Sequence, residues 1–61
     1  MIYDGNWAIA QCERLGLTVN WSLRKISHPK AVCYWTWGCA DCDTMIEAVI
    51  EAVAYIEERK L

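Results

Sequence analysis

Three cysteines and one histidine supply the residue types of a zinc site. Cys39 and Cys42 have the two-residue spacing of a zinc knuckle, and Cys33 lies six residues before Cys39. Structural zinc prefers thiolate sulfur and imidazole nitrogen, so His28 is the candidate for a fourth ligand. Such sites normally combine two closely spaced ligand pairs, and this chain has one. A zinc-stabilised module that uses Cys33, Cys39 and Cys42 is therefore an alternative interpretation.

The pair Cys39 and Cys42 also resembles the active-site turn of thioredoxin-type proteins. An apolar run that ends at Trp37 is followed by CADC and then by a helical pattern, whose N-terminus would lower the pKa of a thiol. The strands are expected to be antiparallel, however, and Asp41 and Asp43 disfavour a thiolate by their charge. The resemblance implies a thiol-redox protein as a second alternative.

The main interpretation gives the cysteines no chemistry and predicts no enzyme, no cofactor and no bound metal. Cysteine is among the most buried residue types, so Cys12 and Cys33 are expected in the core. His28 precedes Pro29 in a turn without a nearby nucleophile, which does not suit acid–base catalysis.

Length and composition predict one small domain, residues 1–61, that needs additional stabilisation. A domain of 61 residues buries only about 60% of the surface that its unfolded chain exposes. Hydrophobic residues make up 56% of this sequence, so much apolar surface has to be covered. Oligomerisation is one common way to stabilise such a domain. The net charge of −2 argues against direct nucleic-acid binding. The N-terminus has no signal-peptide pattern and no run reaches the ~18 apolar residues of a membrane span, so we expect a cytoplasmic protein.

Two segments show helical periodicity and two show strand character. DGNWAIAQCERLGL predicts a short helix capped by Asp4 or Asn6. LTVNWSLRKI alternates and AVCYWTW is aromatic and β-branched, which predicts a hairpin around the turn SHPK. DTMIEAVIEAVAYIEERKL predicts a long helix with Asp43 or Thr44 as its cap. The expected fold is α+β, in the order αββα.

The register of this hairpin decides which side chains are buried. A three-residue HPK loop would place Leu23 opposite Trp35 and Trp21 opposite Trp37, and we favour it because it buries the large side chains on one face. A four-residue SHPK loop would instead expose Trp35 and Trp37. The favoured register buries a face of six residues: Val19, Trp21, Leu23, Cys33, Trp35 and Trp37. It exposes the opposite face: Asn20, Ser22, Arg24, Val32, Tyr34 and Thr36.

The long helix is apolar over a wider arc than one hairpin can cover. One stripe contains Ile46, Val49, Val53 and Ile56. A second stripe contains Met45, Ala48, Ala52 and Tyr55. The second stripe predicts a homodimer interface, since two-fold dimers are the commonest oligomers.

The hairpin LTVNWSLRKISHPKAVCYWTW and the helix TMIEAVIEAVAYIEE together resemble, in style, the small accessory proteins of phages and prophages, including anti-CRISPR and other counter-defence inhibitors. The resemblance implies a small dimeric binder that inhibits another macromolecule without catalysis. From the residues, we expect the contact first on the hairpin, at Arg24 and Tyr34, because Arg and Tyr dominate interface hot spots. The acidic line Glu47, Glu51 and Glu58 is the second candidate surface. It suits a basic partner such as a nucleic-acid-binding host complex.

Overall fold

The computed structural model describes residues 3–38 and 44–61, which form an α+β fold with the two predicted helices and a three-stranded antiparallel sheet. The elements in chain order are α1 (Gly5–Leu15), β1 (Thr18–Asn20), β2 (Lys25–Ser27), β3 (Tyr34–Thr36) and α2 (Met45–Arg59). The strand order in the sheet is β1-β2-β3. In the described ranges, neither helix has the length and apolar character needed to cross a membrane.

Both helices begin and end through local hydrogen bonds. The Asp4 carboxylate accepts the Trp7 backbone N–H at 2.8 Å, which confirms one of the two predicted caps of α1. Gly16 then ends α1 in the left-handed region at φ 68°. The Thr44 hydroxyl accepts the Glu47 N–H at 3.3 Å and starts α2. These bonds satisfy backbone donors that lack a partner inside the helix.

The predicted strand from Leu17 to Ile26 is wrong, because a turn at residues 21–24 divides it into β1 and β2. The Asn20 side-chain oxygen accepts the Leu23 N–H at 3.1 Å, which favours a turn over an extended strand. Arg24 closes the turn with φ 52°, a left-handed conformation that favours Gly or Asn. The hairpin predicted from the sequence is therefore a three-stranded sheet.

The turn reverses the alternation of side chains between β1 and β2. Val19 pairs with Ile26, and Ile26 pairs with Trp35. Directly opposed residues of an antiparallel sheet point to the same face, and Ile26 is fully buried, so this row faces the core. Both hairpin registers predicted from the sequence are wrong, since six residues separate β2 from β3 rather than three or four.

The predicted buried face is correct for only half of its members. Val19, Trp35 and Trp37 pack partly buried against the core. Trp21 and Leu23 lie on the turn with exposed fractions of 62% and 65%. Cys33 is exposed as well, because it belongs to the β2–β3 loop and not to a strand.

Helix α2 is covered from two sides by its own chain. Toward the sheet, Tyr55 meets Trp35 edge to face with ring centroids 5.3 Å apart. Toward α1, Ile50 and Val53 lie beside Trp7 along a shallow groove. The wide apolar arc of α2, which suggested a second copy of the chain, is thus largely accounted for by α1 and the sheet.

Candidate functional site

The outer face of the sheet carries an exposed aromatic residue held beside a cation. Tyr34 is 61% exposed, and the Lys25 ammonium lies 4.8 Å from its ring centroid. The two residues are diagonal neighbours, because Lys25 pairs with Thr36 and Tyr34 pairs with Ser27. A cation over a ring favours this arrangement of the two side chains by about 0.5–1 kcal/mol at an exposed site.

Arg24 was predicted on this face, and the structure places it on the turn instead. The turn's four residues shift the alternation by one, so Lys25 takes the outward position that the sequence pattern gave to Arg24. The Arg24 backbone oxygen accepts the Trp37 N–H at 3.2 Å. Its guanidinium lies over Gly38, where a side chain would contact it at 2.9 Å. Tyr34 lies on the outer face, as predicted.

The β1–β2 turn carries a second aromatic feature. Trp21 and Trp37 meet edge to face with centroids 5.7 Å apart and an interplanar angle of 76°. The Trp37 ring thus supports Trp21, which nevertheless stays 62% exposed. A large aromatic side chain that is supported on one side and open on the other is typical of an interface anchor.

An open apolar groove of about 280 Å³ lies between α1 and β1. Helix α1 contributes Ile9, Cys12 and Glu13, and the β1 end contributes Val19 and Trp21. The groove exists because α2 packs against β2 and β3, while α1 packs against α2, which leaves the core face of β1 partly uncovered. Met45, at the start of α2, closes one end.

Most of the predicted dimer stripe on α2 is engaged within the chain. Ala48 and Ala52 are fully buried and have no surface to offer a second copy in this fold. Tyr55 lies between the Trp35 ring and the Arg59 guanidinium, whose carbon is 3.9 Å from the Tyr55 centroid. Met45 lies at the groove beside α1 and, like Tyr55, is only partly buried. The centre of this stripe is therefore covered by the chain itself, and the homodimer stays a prediction.

The acidic line on α2 is on the surface. Glu47, Glu51 and Glu58 are all exposed. Glu57 lies next to this line and forms an ion pair of 3.3 Å with Arg14 of α1. Exposed pairs of this kind contribute at most about 1 kcal/mol, so the Arg14–Glu57 pair adds little to stability.

The cysteine interpretations divide between described and undescribed residues. Cys39 and Cys42, and with them the CADC sequence, lie outside the described residues, so the zinc and redox alternatives stay predictions. Cys33 is exposed, and the His28 ring nitrogen Nδ1 accepts the Lys30 backbone N–H at 3.0 Å within its turn. Among residues 3–38 and 44–61, no three His, Cys, Asp or Glu side chains are grouped to hold a metal ion.

Cys12 provides a pH-dependent test of the core beneath the groove. Burial raises the pKa of its thiol above the ordinary 9.0, and the Glu13 carboxylate raises it further. The folded state therefore holds this proton more tightly than the unfolded chain does. Its contribution to the free energy of unfolding is complete below pH 9.0 and is lost as the pH rises through the raised pKa.

As the pH rises from about 8 to about 11, the free energy of unfolding should fall less in Cys12→Ala than in the natural chain. Urea titrations followed by circular dichroism measure this difference. Glu13→Gln should keep most of the pH-dependent decrease in the free energy of unfolding, because burial is the larger cause of the raised Cys12 pKa. An identical pH dependence in Cys12→Ala and the natural chain would show that this thiol is not buried as described.

Sequence reasoning missed three residues of these surfaces. Lys25 was overlooked because the alternation, when it is continued through the turn, places Lys25 on the face opposite Arg24. Ile9 and Glu13 were read only as parts of a helix, since their position beside β1 depends on how α1 and the sheet are arranged. The only available signal was Asn20 followed closely by Ser22, both common in turns.

Comparison with known proteins found no family model, no curated protein and no solved structure that matches this chain.

Proposed function

We propose that this protein is a small non-enzymatic interaction module that binds another protein through the outer face of its sheet. The observation that carries the proposal is the Tyr34–Lys25 pair: a 61% exposed aromatic ring with an ammonium 4.8 Å from its centroid. Tyrosine contributes a large contact area at a small cost in side-chain entropy, and it is enriched among interface hot spots.

The surroundings of the pair support a polar, partly charged interface. Thr18, Asn20, Ser27 and Thr36 share the outer face, as the pairing register requires. They supply hydroxyl and amide groups of the kind found around interface anchors. Lys25 gives this surface a positive charge, so a carboxylate-bearing region of the partner complements it.

The second candidate surface is the acidic line Glu47, Glu51 and Glu58 on α2. Its negative charge suits a basic partner, such as the nucleic-acid-binding groove of a host complex. By occupying that groove, the protein would block the function of the complex. The phage counter-defence setting is part of the proposal and rests on the resemblance in style alone. The proposal includes action inside the cytoplasm.

The test begins with capture of a partner on the tagged protein and continues with calorimetric titration of variants. Tyr34→Ala should raise the Kd by about 30-fold or more, the ~2 kcal/mol of a hot-spot residue. Lys25→Ala should have a smaller effect in the same direction. Tyr3→Ala is the matched control, since Tyr3 is a 51% exposed tyrosine that packs on Trp7 of α1.

The same titrations locate the contact on the sheet or on α2. Glu51→Ala should change mainly the salt dependence of binding. An unchanged Kd in Tyr34→Ala together with a large loss in Glu51→Ala would move the binding surface to α2 and contradict the proposal.

A further inference from the structure

We infer that the outer face of the sheet binds an acidic segment of its partner, with a carboxylate of that segment paired to the Lys25 ammonium and an adjacent apolar side chain packed on the Tyr34 ring. The inference rests on the proposed function and adds to it the chemistry of the partner. The distribution of charge in the fold, which the net charge of −2 conceals, selects this kind of partner.

The sheet and its connections contain positive charges only. Residues 16–38 include three Lys or Arg residues and neither Asp nor Glu, so all eight acidic residues lie before or after this segment. Lys25 is on the outer face, and Arg24 and Lys30 lie in the connections at the two ends of β2. The segment that forms the binding face is therefore cationic in a protein that is acidic as a whole.

The helices, which contain most of the acidic residues, lie behind the sheet. Ile26, at the centre of β2, is buried in one core with Cys12 of α1 and Val49 of α2. Both helices thus pack on the core face, opposite to the face of Lys25 and Tyr34. Exposed charges are screened over about 8 Å at physiological ionic strength, so a group that contacts the outer face interacts mainly with the cations of the sheet.

Lys25 retains the capacity to bind a carboxylate. An ammonium group has three hydrogen-bond donors and no acceptor. Within residues 3–38 and 44–61, Lys25 contacts the Tyr34 ring and forms no ion pair. On the opposed position of β1, the Asn20 side-chain oxygen accepts the Leu23 N–H, so the Asn20 amide nitrogen is left as a further donor. Donors beside an aromatic ring suit a ligand that combines a carboxylate with an apolar group.

The number of cations on the face favours an acidic peptide over other polyanions. Nucleic acid needs a series of cations along its phosphates, and an anionic membrane is bound by clusters of ~4–8 Lys and Arg residues. A protein segment needs only a few anchors at the centre of its contact. Among the outward residues that the pairing register defines, Lys25 is the one cation and Tyr34 the one ring, which matches a single acidic residue next to an apolar one.

The test is an NMR titration of the full chain with synthetic peptides that differ only in charge. Their sequences repeat Glu-Ser-Leu-Ser, Gln-Ser-Leu-Ser or Lys-Ser-Leu-Ser, which places the varied residue and the leucine on one side of an extended peptide. The glutamate peptide should shift the amide signals of β2 and β3 and bind about 5-fold more tightly than the glutamine peptide. Lys25→Glu should reverse the preference, so that the lysine peptide binds more tightly than the glutamate peptide.

Lys60→Glu is the matched control, because it changes the net charge by the same amount at the C-terminal end of α2 and should keep the preference of the natural chain. Equal affinity for the glutamate and glutamine peptides, or an unchanged preference in Lys25→Glu, would overturn the inference. Tighter binding of a short single-stranded thymidine oligonucleotide than of the glutamate peptide would also overturn it, and would assign the face to nucleic acid.

The captured partner distinguishes failure of this inference from failure of the proposed function. If Tyr34→Ala weakens the complex while Lys25→Glu and added salt leave its Kd unchanged, the proposed function stands and the acidic segment is excluded. If Tyr34→Ala and Lys25→Glu both leave the Kd unchanged, the partner binds elsewhere and the proposed function fails as well.

Discussion

Ala52→Glu is expected to unfold the protein. Ala52 is fully buried in the middle of α2, next to Ala48 and Val49, which are also fully buried. A carboxylate at this position has no partner, and the effective penalty for an unpaired buried charge is several kcal/mol. The additional side-chain volume costs about 1–3 kcal/mol more. Domains below ~70–80 residues rarely have more than about 3–5 kcal/mol of stability, so the folded state should no longer be populated.

Ala54→Glu is the matched control, because it is the same substitution two residues later on the exposed side of α2. Its cost should stay below about 1 kcal/mol, mostly from repulsion by the nearby carboxylates of Glu51, Glu57 and Glu58. Far-ultraviolet circular dichroism and urea titration distinguish the two variants. A folded monomer from Ala52→Glu would contradict the burial described here. It would support the alternative in which Ala52 lies in a dimer interface.

The helices could be predicted from the sequence because their signals are local. Asp4 and Thr44 cap α1 and α2 through bonds to residues three positions ahead, and Gly16 ends α1 in the left-handed region. Each of these features involves residues within one or two helical turns. Neighbouring residues in the sequence therefore contain all the information that the helix boundaries need.

The sheet could not be predicted in the same way. Val19, Trp21 and Leu23 continue the alternation of a strand, so the turn at residues 21–24 is hidden within a strand-like pattern. Arg24 adopts a left-handed conformation that is usually adopted by Gly or Asn, so the sequence carries no signal for it at this position. With strands of only three residues, a single misread turn changes the face to which every later side chain points.

The candidate sites show the same division between local and long-range information. The outward position of Tyr34 follows from its own strand. The proximity of Lys25 to Tyr34 depends on the pairing of β2 with β3, and the groove depends on the arrangement of α1 relative to β1. These are long-range relations that no spacing within the sequence expresses. The stripe predicted as a dimer interface is a further example, because the helix pattern could not show that α1 and the sheet would cover most of it.

Ile26→Ala tests the reversed alternation directly. Ile26 is fully buried at the centre of β2 and pairs with Val19 on one side and Trp35 on the other. Removing a buried isoleucine side chain to alanine costs about 2–5 kcal/mol, since it combines lost transfer free energy with a cavity. If the alternation continued without interruption from Leu17, Ile26 would lie on the outer face. Ile26→Ala would then leave the free energy of unfolding almost unchanged.

A graded series keeps this test informative if Ile26→Ala does not fold. Ile26→Val should cost about 0.5–1.5 kcal/mol. Val32→Ala, at a position that is 96% exposed, should change the free energy of unfolding by less than about 0.5 kcal/mol. Urea titration followed by tryptophan fluorescence measures all three, because Trp35 lies directly opposite Ile26. A cost for Ile26→Val no larger than that for Val32→Ala would mean that Ile26 faces solvent. The chain would then lack the turn that places Lys25 beside Tyr34, and the proposed binding surface on the sheet would lose its structural basis.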